Sequence, residues 1–589
     1  MKWKSFLKTV NFLGVSSLIG VFATSCTGIK IADIKQSDPK SDSTQELPIN
    51  KNNSDSLINK ARKELTDLIN TKQSKVNLYK DYAKIKEKLE SAYNSSEVVS
   101  NDYKSSLEQL EKSKVDLESA LDFAASDKQI FDNAHQELVR EFNSLKVTLN
   151  NKEERVNSLN QVKYNSIKTH LNSLYEVAEN IVQSGLQPSE ELQVNSVITA
   201  NTNIKEAISL IDSQKINVDL YSTFNDIAIS ADNFHGNFKK KGSQPTDFSL
   251  IGFGTNLGGF SYKFLKRKIN GTSNSDQLTK VSWIYSLEKD NVEQTQASYD
   301  INFTYFGGAT AILYLPVKYF LSSQTRENTG LQYQVNQKQI IDLNDQLQDL
   351  SIEDIKILKI NLTDLNWGNN NIKLIMPSEK TSIPAIGNAY ISLDSSSENL
   401  VYNSIFGNEI DSHNQNKITV NFIKGYGIAN RSRTEIKKIS AAIDGTGEVT
   451  DNYVLGYLGG KIDNSQNLDK NNILYYSFYV NAPIEGMYEI SGIYNTQDSR
   501  KLVFWTKQYN NQEADGKAQF KELQTENWDS SLKRFDSSKK DENSNSFLKL
   551  KQGLNKIIVS GDVNGTNANP APNLGNVTFT LSTPMNSSK

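Results

Sequence analysis

The stretch Tyr299-Asp300-Ile301-Asn302-Phe303-Thr304-Tyr305 places an aromatic or β-branched side chain at every second position, with polar residues between. That is the period of a strand with one face buried. Leu313-Tyr314-Leu315 follows eight residues later, and the same spacing returns without a gap as Tyr488-x-Ile490-x-Gly492-x-Tyr494 and Leu502-Val503-Phe504. Two more blocks repeat in the same order. Leu365-x-x-Gly368-x-Asn370-x-Ile372-x-Leu374 matches Leu550-x-x-Gly553-x-Asn555-x-Ile557-x-Val559, and Pro384-x-Ile386-Gly387-Asn388 matches Pro572-x-Leu574-Gly575-Asn576. Three ordered matches predict duplicated β-domains, at 240–395 and 400–583. Short alternating strands between Gly and Asn turns predict antiparallel sandwiches. Gly-x-Asn-x-Ile reads as a tight turn feeding an inward-facing strand, because Gly and Asn tolerate positive φ.

Upstream the period changes. Residues 49–184 contain neither glycine nor proline, whereas 26 of the 31 glycines lie beyond residue 240. Without these two breakers the region reads as helix almost throughout. Leu57, Ala61, Leu65, Leu68 and Ile69 recur at helical spacing, as do Val76, Tyr79, Tyr82, Ala83, Ile85, Leu89 and Tyr93. Asn94 to Asp102 is expected to turn, Leu107 to Leu121 to form a second helix, and Ser126-Asp127-Lys128-Gln129 to open a third as a capping box. A fourth helix is expected after Asn150-Asn151, and another near 200–230. Helices of similar length joined by short turns predict an elongated antiparallel bundle over 56–235, a stalk whose apolar stripe is its own core. The fold class is therefore multidomain α + β, a helical bundle followed by two antiparallel β-sandwiches.

The N-terminus reads as a targeting signal. Lys2, Lys4 and Lys8 precede an apolar stretch from Val10 to Phe22 that is too short to span a bilayer and ends in Ala23-Thr24-Ser25-Cys26. Small residues before the chain's single cysteine look like a bacterial lipobox, with Ala23 where leucine is more usual. Residues 1–25 are thus expected to be a lipoprotein signal peptide and Cys26 to carry the lipid. Burial of acyl chains, at about 0.8 kcal/mol per methylene, would anchor the chain stably. Residues 26–55 are polar and aperiodic, as a tether would be, so the folded part is expected on the extracellular face of the cell membrane.

Composition narrows the chemistry. Sixty-five Lys and Arg against 68 Asp and Glu give a net charge of −3, without the basic excess of a phosphate-neutralising protein, and no nucleic-acid partner is expected. One cysteine excludes an internal disulfide, and with four histidines it disfavours most thiolate and imidazole chemistry. His-Glu-x-x-His, Gly-x-Ser-x-Gly and the Walker-type phosphate loop are all missing from the chain. Asp463, Ser465, Asn467 and Asp469 imitate a calcium loop, but Leu468 and Leu474 stand where glycine and glutamate belong. No catalytic residue, metal ligand or cofactor is assigned.

Two resemblances add to this reading. Tyr453-Val-Leu-Gly-Tyr-Leu-Gly459, Gly486-Met-Tyr488-Glu-Ile490 with Arg500, the Leu550–Ile557 block and Pro572-Asn-Leu-Gly-Asn576 resemble carbohydrate-binding modules of the galactose-binding-like type, which implies that the two β-sandwiches are jelly rolls. The first copy lacks the Gly-x-Tyr opening. More of the chain is similar to the variable lipoprotein haemagglutinins of mycoplasmas. This likeness rests on Leu78-Tyr79-Lys80-Asp81-Tyr82-Ala83-Lys84-Ile85, Ser166–Tyr175, Val281-Ser282-Trp283-Ile284-Tyr285-Ser286-Leu287, Gly330-Leu331-Gln332-Tyr333 and Ile386-Gly387-Asn388-Ala389-Tyr390. The Pro/Gly/Asn-rich repeat usual after the lipid cysteine is replaced here by the polar tether. The resemblance implies an antigenically variable surface adhesin that attaches the cell to host glycoconjugates, with sialylated ones among the receptors. The alternative is an antigenic coat lipoprotein that binds nothing.

A sugar site commonly joins an aromatic platform to a few polar groups that fix orientation. In the second β-domain the residues near strand ends are Tyr494, Asn495, Arg500, Trp505 and Asn576, with Arg500 suited to a carboxylate. Trp283 and Asn388 are the corresponding candidates in the first. Each has a structural alternative: Tyr494 in the core, Arg500 in a surface ion pair, Asn576 in a turn.

Overall fold

The computed structural model describes residues 51–584 apart from 189, 237–263, 289–296, 431–433, 463–471 and 565–566. Cys26, the signal peptide, most of the tether and the calcium-like loop from Asp463 lie outside the described residues. The helical part comprises α1 (Lys51–Ile69), α2 (Lys72–Asn77), α3 (Ala83–Asn101), α4 (Leu107–Ala134), α5 (Gln136–Leu149), α6 (Lys152–Asn157), α7 (Asn165–Ser184) and α8 (Val194–Thr223). Among the described residues, no helix is long and apolar enough to cross a membrane.

The described residues divide into two compact units, one of 51–73 with 90–120, the other of 74–89 with 121–584. In the first, Ala61 and Leu65 of α1 pack on Leu110 of α4, with Val99 and Leu107 at the margin. Two expectations are corrected here. Asn94 to Asn101 stays helical, and the reversal comes at 102–106, where the Lys104 amide donates to the Asp102 carboxylate (2.9 Å). The functioning capping box is Ser106-x-x-Gln109: the Ser106 amide donates to Gln109 Oε1 (2.8 Å) and the Gln109 amide to Ser106 Oγ (3.2 Å). Ser126 to Gln129 lies inside the unbroken α4. Both stretches read Ser-x-x-Gln; the chain reversal decides which one caps.

In the second unit α5, α7 and α8 pack together through Leu138, Phe142 and Leu145, Ile167, Leu171 and Tyr175, and Val197, Ile204 and Ile211. These positions recur every three or four residues, as one buried helix face requires. The α7–α8 pair docks on the first sandwich. His170 stacks on Trp367 with ring centroids 4.5 Å apart, and Asn217 donates to the Thr304 carbonyl (2.8 Å) while accepting the Phe306 amide (3.1 Å).

The first sandwich is built from β1 (Asn225–Ile227), β2 (Phe234–His235), β3 (Phe264–Lys266), β5 (Ser282–Ile284), β6 (Ser298–Tyr305) and β7 (Ala311–Lys318), with β4 (Ile269–Asn270) in the connection. It continues through β8 (Gln332–Val335), β9 (Ile340–Asp342), β10 (Lys356–Leu362), β11 (Gly368–Ile375), β12 (Ala385–Ile386) and β13 (Ala389–Ser392). Helix α9 (Ser275–Leu278) lies before β5, and α10 (Glu398–Phe406) leads to the second sandwich. That sandwich begins with β14 (Asn408–Ile410), β15 (Lys417–Val420), β16 (Ile428–Ala429), β17 (Glu435–Ala441), β18 (Thr450–Gly456), β19 (Tyr476–Ala482) and β20 (Gly486–Asn495). It ends with β21 (Arg500–Thr506), β22 (Lys517–Leu523), β23 (Lys533–Phe535), β24 (Phe547–Leu550), β25 (Gly553–Ser560), β26 (Val563–Asn564), β27 (Asn567–Ala568) and β28 (Asn573–Pro584).

One sheet of sandwich 1 runs β2-β6-β11-β8-β9, and its counterpart in sandwich 2 runs β16-β19-β25-β21-β22. The opposing sheets run β1-β13-β7-β12-β5-β3, with β10 on β7, and β14-β15-β28-β18-β17-β4, with β20 on β28. The two copies share one topology, and the Gly-x-Asn turn is built identically in both. Gly368 and Gly553 sit at φ +95° and +90°. Asn370 accepts the Asn366 amide (2.8 Å) and donates to the Asn366 and Gly368 carbonyls (both 2.9 Å). Asn555 repeats this with Lys551 and Gly553 at 2.9, 2.8 and 2.8 Å.

The first matched block is corrected by one strand. Gly368 pairs with Tyr305 and Gly553 with Ala482, so β6 corresponds to β19 and Tyr299 to Tyr476, not to Tyr488. Likewise β7 corresponds to β20: Leu313 faces Ile391 as Ile490 faces Phe579. Period-two alternation is common to every strand with a buried face, so an ungapped match slides from one strand to the next. The domain boundaries also shift. The β1 and β2 strands precede residue 240 yet pair with β13 and β6, and β4 joins sandwich 2 in parallel with β17.

The sandwiches are welded. Trp283, Tyr314 and Tyr390, on the β5-β12-β7-β13 sheet, with Tyr285 and Phe320 just past the ends of β5 and β7, share one buried cluster with Phe406 of α10 and Phe422, Tyr426 and Tyr476 of sandwich 2. Arg267 is buried there, its Nη1 donating to the carbonyls of Phe422 (2.7 Å), Ile423 (3.2 Å) and Gly425 (2.6 Å).

Candidate functional site

The face that packs away in sandwich 1 is open in sandwich 2. Tyr314 faces Tyr390 across β7 and β13, whereas the corresponding pair across β20 and β28 is Ser491 and Thr578. At one end of this more polar face lies an open cleft of about 830 Å³, lined by Glu435, Tyr457, Lys461, Arg500, Trp528 and Asn573 among others.

Its floor is held by backbone pairing. The Gly459 amide donates to Leu474 (2.7 Å), Gly460 to Asn569 (2.9 Å) and Ala571 to Leu458 (2.7 Å). Gly459 sits at φ +75°, and a Cβ there would come within 2.5 Å of the Asn569 carbonyl and the Ala571 amide, so the approach of these two loops requires glycine. Tyr457 holds φ +54° and is 56% exposed, a costly backbone conformation for an aromatic residue.

The Arg500 guanidinium lies 4.5 Å from the Trp528 ring centroid, within cation–π range. Its Nη1 donates to the Ala571 carbonyl (3.0 Å) and its Nη2 to Asp498 (3.3 Å). The loop carrying Trp528 is pinned from below: Asn495 Nδ2 donates to the carbonyls of Asn527 (2.8 Å) and Ser531 (2.7 Å), and its Oδ1 accepts from Asn573 (3.0 Å). Lys437 pairs with Asp529. Burial pushes the Glu435 carboxyl above its usual range, opposed by its hydrogen bond from Asn270. The cleft can therefore offer aromatic surface, one oriented guanidinium, an amide and ammonium groups without further assembly.

Of the seven sugar-contact candidates read from sequence, Arg500 lines the cleft and Asn495 lies beneath it, fully buried, as the support of the Trp528 loop. Asn576 is half-buried on β28. The others are corrected to core. Tyr494 is buried with its hydroxyl on the Gln524 carbonyl (3.3 Å). Trp505 is buried under Tyr509, with ring centroids 5.0 Å apart. Trp283 and Asn388 sit beneath sandwich 2: Trp283 meets Tyr426 edge to face, and Asn388 donates to the Lys280 carbonyl (3.0 Å). Inward and outward positions alternate along a strand, so aromatic identity near a strand end does not tell which face it takes. The residues missed were Tyr457, Trp528, Lys461, Glu435 and Asn573. Tyr457 and Asn573 fall within quoted blocks, and Glu526-Asn527-Trp528-Asp529-Ser530 is a polar turn run around a lone tryptophan, a legible sign of an exposed ring. Among the described residues no group of three or more His, Cys, Asp or Glu side chains could hold a metal ion.

A FIVAR domain model matches residues 61–122 and 141–211. No curated protein matches the chain. Among solved structures it is similar to a family 35 carbohydrate-binding module from Clostridium thermocellum (16% identity, 22% of this chain and 78% of that one, TM-score 0.15). It is also similar to the CBM22-1-CBM22-2 tandem of Paenibacillus barcinonensis Xyn10C (9%, 58% and 99%, 0.18). A third likeness is to Arthrobacter globiformis T6 isomalto-dextranase (13%, 51% and 34%, 0.19), of which the chain spans about a third. A model described as Mycoplasma haemagglutinin matches residues 224–349 and 343–582, from the entry into β1 to the last strand of sandwich 2. With both sandwiches inside that match, the chain belongs to the Mycoplasma haemagglutinin family.

Proposed function

We propose that this protein is a carbohydrate-binding surface adhesin that attaches the cell to host glycoconjugates through the cleft in sandwich 2. The observation that carries the reading is the pairing of Trp528 and Arg500 beside the exposed Tyr457. Aromatic faces pack against the C–H faces of pyranose rings, and a guanidinium and amides orient hydroxyl or carboxylate oxygens. Sandwich 1 serves as a support, because its equivalent face is covered. In this reading Cys26 carries the lipid that holds the protein on the extracellular face, and no catalysis is involved.

The test is binding of the full chain to a glycan array containing sialylated and desialylated pairs, together with erythrocyte attachment. Selective binding that falls at least tenfold in Trp528→Ala and in Arg500→Ala supports the site. Absence of binding to every glycan and to erythrocytes overturns the adhesin reading in favour of a coat protein. Anchoring is checked separately: Cys26→Ala should move the protein from the detergent-rich to the aqueous phase of Triton X-114.

A further inference from the structure

A second cleft, of about 620 Å³, lies at the other end of sandwich 2, between α10, the end of β14, the turn after β19 and the turn before β25. The β20 strand starts beside it at Gly486 and ends beneath the first cleft at Asn495, ten residues or roughly 30 Å away. No residue lines both clefts.

Its chemistry is that of side-chain amides. Asn481, on β19, is 5% exposed, and its Nδ2 donates to Oδ1 of Asn403 (2.9 Å) and Oδ1 of Asn399 (3.3 Å), both on α10. Its backbone amide is fixed in turn by Asn408 Oδ1 (2.8 Å). An amide whose oxygen is engaged from below turns its NH2 group the other way, so Asn399 and Asn403 present donors toward the cleft. Across it, Gln552 commits its Nε2 to the Pro483 carbonyl (3.2 Å), which leaves Oε1 as an outward acceptor. Asn481 Oδ1 is buried with no hydrogen-bond partner among the described residues, a polar atom of the kind that native proteins rarely leave unmatched. The rim is aliphatic, with Leu400 and Ile410 exposed. Asp411, the acidic group lining the cleft, is engaged by the backbone amides of His413 (2.9 Å) and Asn414 (3.2 Å) and by Lys417 (3.4 Å).

We propose that this amide-lined cleft is a second ligand site on sandwich 2, for an uncharged oligosaccharide. Facing donors and an acceptor suit vicinal hydroxyls, the aliphatic rim suits a pyranose C–H face, and the committed carboxylate leaves little charge to match. An extended peptide fits less well, because the adjoining edge strand β14 has three residues and Asn408 is buried. The site stands independently of the first cleft, so the chain would carry two sugar sites at opposite ends of one domain.

The test uses the full chain and three neutral probes, lactose, maltotriose and chitotriose, with calorimetry in a Trp528→Ala background that disables the first cleft. The expected result is retained binding of at least one probe, weakened tenfold or more by Gln552→Ala, an exposed change at unchanged melting temperature, and by Asn403→Leu measured well below its own melting temperature. The proposal is overturned if the Trp528→Ala chain binds none of the three, or if its binding survives both further substitutions. It is also overturned if a Ser/Thr-rich decapeptide binds, sensitive to Gln552→Ala, while all sugars are silent. Failure of the first-cleft reading shows differently, as a glycan profile that Trp528→Ala leaves unchanged.

Discussion

Trp283 of the first sandwich and Tyr426 of the second meet edge to face, with ring centroids 4.8 Å apart. The Tyr426 hydroxyl donates to the Ser282 carbonyl (2.9 Å) and accepts the Asn388 amide (2.8 Å). This contact closes on the first copy the face that stays open on the second. Tyr426→Phe keeps the ring packing and leaves two buried backbone groups without a partner, so stability should fall by about 1–3 kcal/mol. Urea unfolding should show the loss in one shared transition of both sandwiches; an unchanged midpoint would remove this hydroxyl from the account of their coupling.

Asn495 contacts no ligand in the proposed site, yet it holds the loop that carries Trp528. Asn495→Ala removes the hydrogen bonds to the Asn527 and Ser531 carbonyls and the acceptor of the Asn573 side-chain amide, and leaves the Asn527 carbonyl only the Thr525 and Ser531 hydroxyls, each at 3.2 Å. Hydrogen exchange should rise over residues 524–532, and glycan affinity should drop severalfold with Arg500 intact. Unaltered exchange in that segment would show that the loop is held by other contacts.

Tyr457 sits in the left-handed region with an exposed ring. Tyr457→Gly relieves the backbone conformation and loses chain stiffness in comparable measure, so stability should stay within about 1 kcal/mol. Sugar binding should nevertheless fall at least fivefold. Equal binding by the variant would mean that the ring does not meet the ligand.

Lys318 occupies on β7 the place of Asn495 on β20, and it is completely buried, its Nζ lacking a hydrogen-bond partner among the described residues. Burial pushes its ammonium down to about 7, opposed by Asp354, which is itself paired with Lys556 (2.7 Å). Between that value and the ordinary lysine range near 10.5 the unfolded chain holds a proton that the folded one does not. Stability from this residue therefore rises as pH climbs through that window, and the full penalty applies below it. Lys318→Met should raise stability at pH 6 by a few kcal/mol, on the order of the desolvation cost, and flatten the rise above pH 7. Parallel pH profiles for the two proteins would show that the ammonium is solvated.

The helical half was readable because its amphipathic faces repeat over several turns: Ala61 and Leu65 in α1 and Ile85, Leu89 and Tyr93 in α3 needed no partner to be recognised, and all are buried. Helix ends were less legible, since Ser106-x-x-Gln109 and Ser126-x-x-Gln129 carry the same local signal and the packing of a reversed chain selects between them. Duplication was legible from the Gly-x-Asn and Pro-x-x-Gly-Asn blocks, whose residues answer to backbone needs at fixed places. The alternating aromatic block was not a reliable marker, because any strand with one buried face has that period.

Local rules in the sequence determined helix and strand content, the two-copy β architecture and the Asn370 and Asn555 clasps, because each depends on residues close together in the chain. The tertiary structure decided which face of each copy meets solvent. Tyr314 and Tyr390 in one copy and Ser491 and Thr578 in the other differ in polarity, but only the packing of Tyr426 and Arg267 across the joint closes the first face. The sugar site was hidden for the same reason. Arg500, Trp528 and Asn573 come from separate loops and become one surface only when β20, β21 and β28 are in register.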